Sequence, residues 1–421
     1  MRLISGIVAG LMMFIGVGAT AMAADQTAPA DRPLDGQLGN LEEGFARLSG
    51  DTVKLKLGFF FQGGWLNDDA GFSVGGPPTN GISTTSGNQF YVRRARIFLN
   101  GELSKKVGFR VSIEPAITNG TTGGGSQLLR DAYIWLDYIP YAKITLGQFK
   151  VPYGLEGIEA LADNPTVNRS FATNFIHYPT LRDLGVMASG KYSTKVGDMP
   201  LGASYAVAVV SGKGYNQSDD NGAKDFAMRV VVNPLVEGLN VGYSFYKGET
   251  RSVVGSNGFD HDRNRWAVEL DYNCPKLKGL KVRGEYLQDS KFFDKYASKD
   301  AIVTTGTANF RHWSHSYGWY LLGAYRIDGQ EGMLGYLNGL EPVIRYDLLN
   351  EDTAPATTAS IGSRSTRYRT TIGVNYYLNK YARLMANYEM IHAGADLKSR
   401  SLEMIDTISH NLFTVQAQIK F

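Results

Sequence analysis

The stretch "HWSHSYG", residues 312–318, contains histidines and serines whose types and spacing resemble those of an enzyme site. His312 and His315 could form a metal-binding pair, or one of them could activate a serine as a general base. The stretch falls in a predicted external loop and has no evident acid or amide to orient a histidine. The glycine run at 123–125 neither follows a strand with a lysine nor opens a helix, so we expect a flexible loop there and not a phosphate cradle. The sequence therefore gives little reason to expect catalysis, a cofactor or a metal.

Arginines in an otherwise apolar strand are the second group of side chains that could take part in binding or chemistry. In "FYVRRARIFLNGEL", residues 90–103, Arg94 and Arg96 share one face of a period-two pattern. The opposite face carries Ala95, Ile97 and Leu99. Because guanidinium groups bind phosphate and carboxylate oxygens in a fork geometry, the charged face predicts contact with anions in water.

The composition indicates a β-rich architecture. The 421 residues include 49 glycines, 24 tyrosines and 20 phenylalanines, which suits one large β-structure better than several helical domains. Lys and Arg total 43 against 40 for Asp and Glu, so the net charge of +3 gives no reason to expect nucleic acid as a partner. A single cysteine, Cys274, excludes an internal disulfide. Any electrostatic function must therefore depend on where the charges lie.

The first residues are predicted to be a signal peptide, 1–23. A positive start at Met1–Arg2 precedes an apolar stretch and "AMA" at 21–23, which fits cleavage before Ala24. An uncleaved anchor helix is the alternative. Beyond this stretch no run of about 18 apolar residues occurs, so we expect no membrane-spanning helix in the mature chain.

Residues 24–52 are predicted to form a periplasmic arm. Apolar residues spaced 4, 3, 4 and 3 form a short heptad seam. They are Leu34, Leu38, Leu41, Phe45 and Leu48. The seam covers only two heptads and contains three glycines, so an isolated helix would be marginal. Two interpretations stay open, a frayed amphipathic arm packed on a neighbour and a short coiled coil in an oligomer.

From residue 53 to residue 421, polar and apolar residues alternate in short segments. A soluble sandwich and a membrane barrel would both show this alternation within each strand. Sixteen segments follow it: 53–65, 89–103, 107–115, 129–138, 143–150, 185–193, 201–210, 226–233, 239–246, 264–273, 280–288, 316–326, 341–349, 366–378, 382–390 and 411–421. Their number and spacing must therefore decide between the two folds.

The connections between these segments favour a barrel. Short turns follow the even strands and longer loops follow the odd strands, although the connection at 327–340 is too long for this rule. An even number of alternating strands with short turns at one end is typical of outer-membrane barrels, and a soluble sandwich has no reason to sort its loops. The final "FTVQAQIKF" is a complete alternating strand that ends on an aromatic residue. The predicted fold at 53–421 is all-β, a sixteen-stranded antiparallel transmembrane β-barrel in the outer membrane of a Gram-negative bacterium.

A barrel of sixteen strands is wide enough for an aqueous channel. Arg94 and Arg96 can then project into water while the apolar face contacts lipid. Arg93 falls on the lipid face by parity, so it either reaches the outer headgroup layer or sits at a local bulge. Tyrosines near strand ends are expected in the aromatic girdles. These are Tyr138, Tyr286, Tyr346 and Tyr388.

Several stretches resemble the phosphate-selective porin O and P family. They are "FYVRRARIFLNGEL", "LRDAYIWLDY", "LGQFKVPYGLE", "LRDLGVMASGKY", "EPVIRYDLL", "ARLMANYE" and "QAQIKF", of which "RRAR" and "GQFKVPYGLE" are the most specific. The resemblance implies a homotrimer in which the third long loop of each barrel, 151–184, folds inward and narrows the pore. It also implies that Arg94 and Arg96 line the conduction path. Lys150 would then lie at the root of the loop, with Asp131 as a partner for a basic group there.

The charge of that loop departs from the family pattern. Phosphate-selective members place basic residues around the constriction, whereas 151–184 holds more acidic than basic side chains. They are Glu156, Glu159, Asp163 and Asp183 against Arg169 and Arg182. Because carboxylates commonly pair with arginines of the barrel wall, the departure weakens the inference to phosphate without removing it.

Strand direction predicts the depth of the luminal arginines. If the amino terminus is periplasmic, even strands begin at the outer face, which places three pairs of arginines in the outer half of the lumen. The pairs are Arg94 and Arg96, Arg263 and Arg265, and Arg367 and Arg369. A basic ring in a pore with low-dielectric walls concentrates anions. The alternative is that each arginine forms a cross-strand pair with a carboxylate.

The sequence therefore predicts a passive channel with an anion preference, for which phosphate or related oxyanions are the favoured solutes. Its expected partners are small anions, outer-membrane lipid, lipopolysaccharide and further copies of the same chain. A general or sugar-conducting porin is the first alternative. A barrel hydrolase that uses the histidines around position 315 is the second.

Overall fold

Sixteen antiparallel strands form a closed barrel in the computed structural model. Each strand pairs with its neighbours in sequence, and β1 pairs with β16 to close the barrel, with Trp65 opposite Val415. The structure describes residues 53–69, 88–115, 128–177, 181–254, 257–295, 310–328, 335, 337–353, 363–393 and 409–421. The predicted signal peptide, the predicted arm and the glycine run lie outside these residues.

The observed strands correspond one to one with the sixteen predicted segments, which confirms the fold. They are β1 Lys54–Asp68, β2 Asn88–Ser104, β3 Val107–Ile113, β4 Leu129–Ile139, β5 Ala142–Lys150, β6 Arg182–Val196, β7 Met199–Val210, β8 Asp225–Pro234, β9 Leu239–Val254, β10 Asn257–Asn273, β11 Leu280–Lys295, β12 Phe310–Tyr325, β13 Leu340–Thr353, β14 Ser363–Tyr377, β15 Ala382–Ala393 and β16 His410–Lys420. The connection after β12 is long, as the sequence indicated, and Ile327 pairs with Leu340 across it.

Strands β9 to β12 extend beyond their predicted segments. Only residues 255–256 separate β9 from β10, so the long loop expected at 247–263 is wrong. The stretch "HWSHSYG" likewise lies within β12 and not in an external loop. Backbone pairing continues in these extensions, for example between Asp262 and Glu249, although the apolar face of the strand has ended. Hydrogen bonds between strands need no apolar face, which is why the alternation placed these boundaries too early.

Side chains alternate between an outward and an inward face along each strand. On β13, Ile344 and Tyr346 are 56% and 39% exposed, whereas Arg345 and Asp347 are fully buried. The outward faces of the other strands are also rich in exposed apolar residues, such as Val268 on β10. The apolar face is therefore the outer surface of the barrel, and the charged face is the inner one.

Aromatic rings form a row on the outside of β10 to β14. Four contacts within this row have ring centroids 5.1, 6.2, 5.5 and 6.5 Å apart. The row consists of Trp266, Tyr286, Tyr317, Trp319, Tyr346 and Tyr368. A belt of outward aromatic side chains is typical of the interfacial girdle of a membrane barrel.

Residues 151–177, which we call the β5–β6 segment, contain short helices. Helix α1 spans Leu155–Ile158, a 3-10 turn spans Leu161–Asp163, and helix α2 spans Phe171–Ile176. Gly154, immediately before α1, has a φ of 67°, a left-handed conformation that glycine adopts without strain. Each helix has six residues or fewer, which is too short to span a bilayer.

Candidate functional site

The β5–β6 segment contacts the inward face of the barrel wall from its first residues. The Tyr153 hydroxyl donates to a backbone carbonyl of β10 at 3.0 Å. The Gly154 amide donates to Ser244 Oγ on β9 at 3.0 Å. The Leu155 amide, at the start of α1, donates to Glu285 Oε1 on β11 at 2.8 Å. Three adjacent strands therefore hold the beginning of the segment.

Arg345 on β13 is the centre of this attachment. Its buried guanidinium donates to Thr166 Oγ1 at 2.7 Å and to the Asn168 carbonyl at 2.8 Å. It also lies 3.4 Å from Glu156 Oε1 and 3.1 Å from Asp347 Oδ2. Because a guanidinium has five N–H donors in a fixed plane, one arginine can join several acceptors to the wall.

Asp347 extends the network to β14. Its carboxylate accepts from the Phe171 amide at 3.0 Å and from Arg369 Nε at 2.9 Å. Arg369 also donates to the Arg169 carbonyl at 2.5 Å and lies 4.2 Å above the Phe171 ring. Charges buried in this way are costly to separate, because each would lose its compensating partner.

Strands β14 to β16 hold the middle of the segment through its backbone carbonyls. Asn375 donates to the Pro165 carbonyl at 2.8 Å, Arg383 to the Asn164 carbonyl at 2.7 Å, and Gln418 to the Ala162 carbonyl at 3.0 Å. Together with the contacts to β9, β10, β11 and β13, these bonds attach the segment along the β9–β16 side of the barrel interior.

The carboxylates of the expected constriction loop are all hydrogen-bonded. Glu156 accepts from Arg345, Glu159 from Arg283, Asp163 from Lys420, and Asp183 from the amides of Leu184, Gly212 and Gly214. Basic side chains of the wall therefore offset most of the net acidity that the sequence shows for this loop. Of the two basic residues of the loop, Arg182 pairs with Asp131 at 2.7 Å. Burial lowers the pKa of the other, Arg169, to about 10.

Five of the six predicted ring arginines lie beside a carboxylate. The ion pairs are Arg96 with Glu114 at 2.9 Å, Arg263 and Arg265 with Asp289 at 2.9 and 3.3 Å, Arg367 with Glu351 at 3.4 Å, and Arg369 with Asp347 at 2.9 Å. Arg94 donates instead to Gln62 Oε1 at 2.5 Å. The three pairs of arginines lie on β2, β10 and β14, each beside its own partners. The sequence left two alternatives, a ring of unpaired arginines and arginines paired with carboxylates of the wall. Five of the six arginines follow the second alternative.

Arg93 and Arg94 both point inward although they are adjacent in the chain, and both are buried. Phe90 before them and Ile97 after them are exposed on the outer surface, so the parity of the strand changes at the two arginines. Such a change is expected at a β-bulge, one of the two outcomes considered for Arg93. The inward position brings the Arg93 guanidinium to the β5–β6 segment, where it donates to the Val167 carbonyl at 3.0 Å.

His177 packs inside the β5–β6 segment. Its ring lies 4.9 Å from the Tyr153 ring, edge to face. A Cβ added at Gly157 would lie 2.2 Å from the imidazole, so the glycine permits this close approach. Burial lowers the pKa of His177 to about 3 and raises that of Tyr153, so both side chains are neutral at neutral pH.

A cavity of about 660 Å³ lies between the β5–β6 segment and the wall strands β2 to β6. Its lining also includes residues of β1 and β16. The basic side chains of the lining are Arg96, Arg110, Lys143, Lys150, Arg182 and Lys420, and its carboxylate is that of Asp131. The lining thus holds more basic than acidic side chains.

The two lysines on β5 contribute charge in different ways. Lys150 Nζ donates to the carbonyls of Ile158 and Glu159, both at 2.8 Å. Lys143 Nζ lies 4.7 Å from the centre of the Trp135 ring. Among the described residues, neither lysine forms an ion pair with a carboxylate. The charge of Lys143, which is exposed, is therefore available to a solute in the cavity, whereas the ammonium of Lys150 is held by the β5–β6 segment.

Of the predicted site residues, the cavity brings together Arg96, Asp131 and Lys150. The remaining predicted arginines lie elsewhere on the wall. Sequence reasoning did not select Arg110 and Lys143, which also line the cavity. The alternation of polar and apolar residues along β3 and β5 places both side chains on the inner face of the barrel. This alternation was the signal in the sequence that could have identified them.

His315 of "HWSHSYG" is not among the residues that line this cavity. His315 Nδ1 lies 2.9 Å from Ser290 Oγ, across the β11–β12 pair. The neighbouring Ser316 is buried while His315 is exposed, so the Ser290–His315 pair lies on the outward face. Within the described residues, no group of three His, Cys, Asp or Glu side chains could hold a metal ion.

The chain is similar to outer-membrane porins in sequence and in fold. A family model described as phosphate-selective porin O and P matches residues 68–267 and 287–421. The comparison with curated proteins gives no match.

Three solved structures illustrate the similarity in fold. The outer-membrane channel DcaP of Acinetobacter baumannii superposes with a TM-score of 0.56 at 14% identity, over 89% of this chain and 99% of that one. An anion-selective porin from Comamonas acidovorans gives 0.52 at 14% identity, over 88% and 100%. OmpT of Vibrio cholerae in its trimer form gives 0.52 at 9% identity, over 88% and 100%. At these identities the similarity shows the fold alone.

Proposed function

Because the chain belongs to the phosphate-selective porin O and P family, we propose that it is a passive channel that prefers anions and conducts phosphate or related oxyanions. That the protein is an outer-membrane porin follows from the family and from the closed barrel of sixteen strands. The anion preference and the identity of the solute are argued from the charges inside the barrel.

The distribution of charge around the β5–β6 segment is the observation that carries the proposal. On the β9–β16 side, carboxylates of the segment and basic side chains of the wall offset one another. On the β2–β6 side, the cavity has six basic side chains in its lining. Four of them pair with three carboxylates, so basic charge remains in excess. A cationic surface between low-dielectric walls raises the local concentration of anions and lowers that of cations.

The β5–β6 segment would narrow the pore and direct solutes along the basic wall. Its bonds to β9–β16 occupy one side of the interior and leave the cavity beside β2–β6 as the passage. Lys143 and Lys150 are seven residues apart on β5, about 23 Å along the strand. An anion on this route would therefore remain close to a positive charge over much of the membrane thickness.

The arginines at the root of the segment suit a tetrahedral oxyanion. Arg182 uses Nε and Nη2 to bind Asp131, and Arg96 uses the same two atoms to bind Glu114. Among the described residues, the Nη1 groups of both arginines have no protein acceptor. The carboxylates thus hold each guanidinium in place and leave N–H donors for phosphate oxygens.

The assembly is expected to be a homotrimer, and the similarity in fold to OmpT in its trimer form supports this expectation. The apolar outer surface would contact lipid, and the exposed connections between strands would contact lipopolysaccharide. A native mass measurement of the full-length protein in detergent should give three chains, and a monomer would contradict the proposed assembly.

The reversal potential of the channel in planar bilayers under a potassium chloride gradient tests the anion preference. Chloride should permeate better than potassium. Replacing both Lys143 and Lys150 by Gln should reduce this preference, because it removes the two basic side chains of the lining that form no ion pair with a carboxylate of the described residues. Lys247 is an exposed lysine on β9, outside the cavity. Lys247→Gln removes the same kind of charge and should leave the preference unchanged. Cation preference, or no preference, in the unmodified protein would favour a general or sugar-conducting porin.

Phosphate specificity requires a separate measurement. Phosphate added at fixed chloride should reduce the chloride current, because it occupies the donors of Arg96 and Arg182. Arg182→Lys should weaken this block more than it weakens the anion preference, since it keeps the charge and removes the fork. An anion-selective channel that phosphate does not block would remove the phosphate assignment.

A further inference from the structure

The cavity beside β2–β6 has a composition that an inorganic anion does not need. Its volume of about 660 Å³ is many times that of a phosphate ion, and aromatic side chains lie among its basic residues. They are Phe60, Phe98, Tyr133, Trp135 and Phe149. Basic groups alone would suffice to attract phosphate, so the rings call for a separate explanation.

Two of these rings lie against glycines of the neighbouring strands. A Cβ at Gly108 would be 2.4 Å from Trp135 Cζ2, and a Cβ at Gly58 would be 2.1 Å from Phe98 Cε2. Any other residue at these positions would push the rings away from the wall. The glycines therefore let the rings lie along the wall, where they add apolar surface and still leave the cavity open.

Each of these rings has a cation beside it. Lys143 Nζ lies 4.7 Å from the centre of the Trp135 ring, and Arg110 Cζ lies 4.7 Å from the centre of the Phe98 ring. The ring quadrupole attracts a cation over its face. Positive charge and aromatic surface are thus adjacent on the same side of the cavity.

The opposite side of the cavity, formed by the β5–β6 segment, is apolar. It presents Ile158, Ala160, Leu161 and Ala162. An inorganic anion that passes this surface exchanges water for methyl groups and gains no interaction from them. A solute with an apolar body would instead bury that body between the segment and the rings of the wall, which is favourable.

We propose that this cavity is a binding site for aromatic carboxylates. The carboxylate would lie at Lys143 and Arg110, and the ring would lie between Trp135 and Leu161. The inference rests on the proposed anion channel and names a further class of solute for it. A solute for this site needs both a carboxylate and an apolar ring. The carboxylate binds the cations of the wall, and the ring packs between the aromatic side chains of the wall and the apolar side chains of the segment.

Benzoate and acetate test this inference in the unmodified full-length protein, because they carry the same charge and differ in the ring. Each is added to the channel in planar bilayers at fixed chloride, and the block of chloride current is measured. Benzoate should block at a concentration at least about tenfold lower than acetate, from burial of its ring. Benzamide, which has the ring without the charge, should not block.

Trp135→Leu should bring the concentration of benzoate needed for block close to that of acetate, while the reversal potential stays the same. Trp135→Phe, which restores a ring, should recover part of the difference. Lys143→Gln should weaken the block by both carboxylates. Lys247→Gln is the control outside the cavity and should leave both unchanged. If Trp135→Leu does not fold, Leu161→Asn tests the opposite side of the cavity and should also reduce the advantage of benzoate.

Equal block by benzoate and acetate in the unmodified protein would overturn the aromatic site, and so would block by benzamide as strong as that by benzoate. Either result, together with an intact preference for chloride, would leave the proposed anion channel standing. Loss of the chloride preference itself would instead refute the proposed function. The two failures are therefore distinguished by the same recordings.

Discussion

Replacing Arg345 by Met should release the β5–β6 segment from the wall. The substitution keeps an unbranched side chain of similar length and removes the guanidinium. Arg345 makes five polar contacts of 3.4 Å or less, four with the segment and one with Asp347. No other side chain described above joins as many points of the segment to one strand.

The size of the effect follows from the partners that remain. Removing one member of a buried ion pair costs about 3–5 kcal/mol. After the substitution Asp347 keeps Arg369, and Glu156 keeps the Ser170 hydroxyl at 2.7 Å, so the lower end of this range applies. A loss of about 3 kcal/mol would raise the ratio of detached to attached segment roughly a hundredfold.

Single-channel recording is the appropriate assay, because a detached segment changes the width of the passage while the barrel stays intact. Arg345→Met should show higher conductance and frequent transitions between levels. Arg229→Met is the matched control, since Arg229 is also an inward arginine paired with a carboxylate, Glu269, and does not contact the segment. Conductance and noise in Arg345→Met that equal those of the control would refute the reasoning.

Three further predictions concern pH, packing and topology. Burial lowers the pKa of His177 to about 3, so its contribution to the stability of the attached β5–β6 segment is complete above pH 6.5 and declines as the pH falls towards 3. Current noise should therefore increase between pH 6 and pH 4. His177→Gln should abolish this change. Gly157→Ala should raise the noise at neutral pH because its Cβ would overlap the imidazole, whereas Gly323→Ala, where the nearest atom is 3.8 Å away, should not. A cysteine at Asn221, in a background without the native cysteine, should react with an impermeant reagent on intact cells, and one at Lys105 should not; the reverse result would invert the orientation of the barrel.

The number and order of the strands could be predicted because the alternation of side chains reports the environment of each face. A strand such as β16, with Val415 and Ile419 outward and Gln416 and Gln418 inward, shows both environments in its sequence. The ends of β9 and β10 could not be predicted in this way. Both faces of those extensions carry polar residues, so the alternation of polar and apolar side chains stops before the backbone pairing between the strands does.

The candidate site was predictable only in part, because the charge of a residue does not reveal its partner. Arg265 and Lys143 look alike in a period-two pattern, but Arg265 lies beside Asp289 of the next strand and Lys143 lies over the Trp135 ring. The register of neighbouring strands decides which inward charges meet. A single sequence gives the facing of each strand and leaves the register open, so the positions of the unpaired charges had to come from the structure.

The contacts of the β5–β6 segment also set the order of folding. The Asn164 carbonyl accepts from a side chain 219 residues later in the chain, and Thr166 accepts from one 179 residues later. These bonds cannot form until β13 to β15 have taken their places, and contacts between such distant residues form slowly. We therefore expect the segment to dock late in folding, after β13 to β15 are in place. A barrel that lacks its last strands would be a wide opening without the proposed basic passage, so the proposed selectivity would require the completely folded protein.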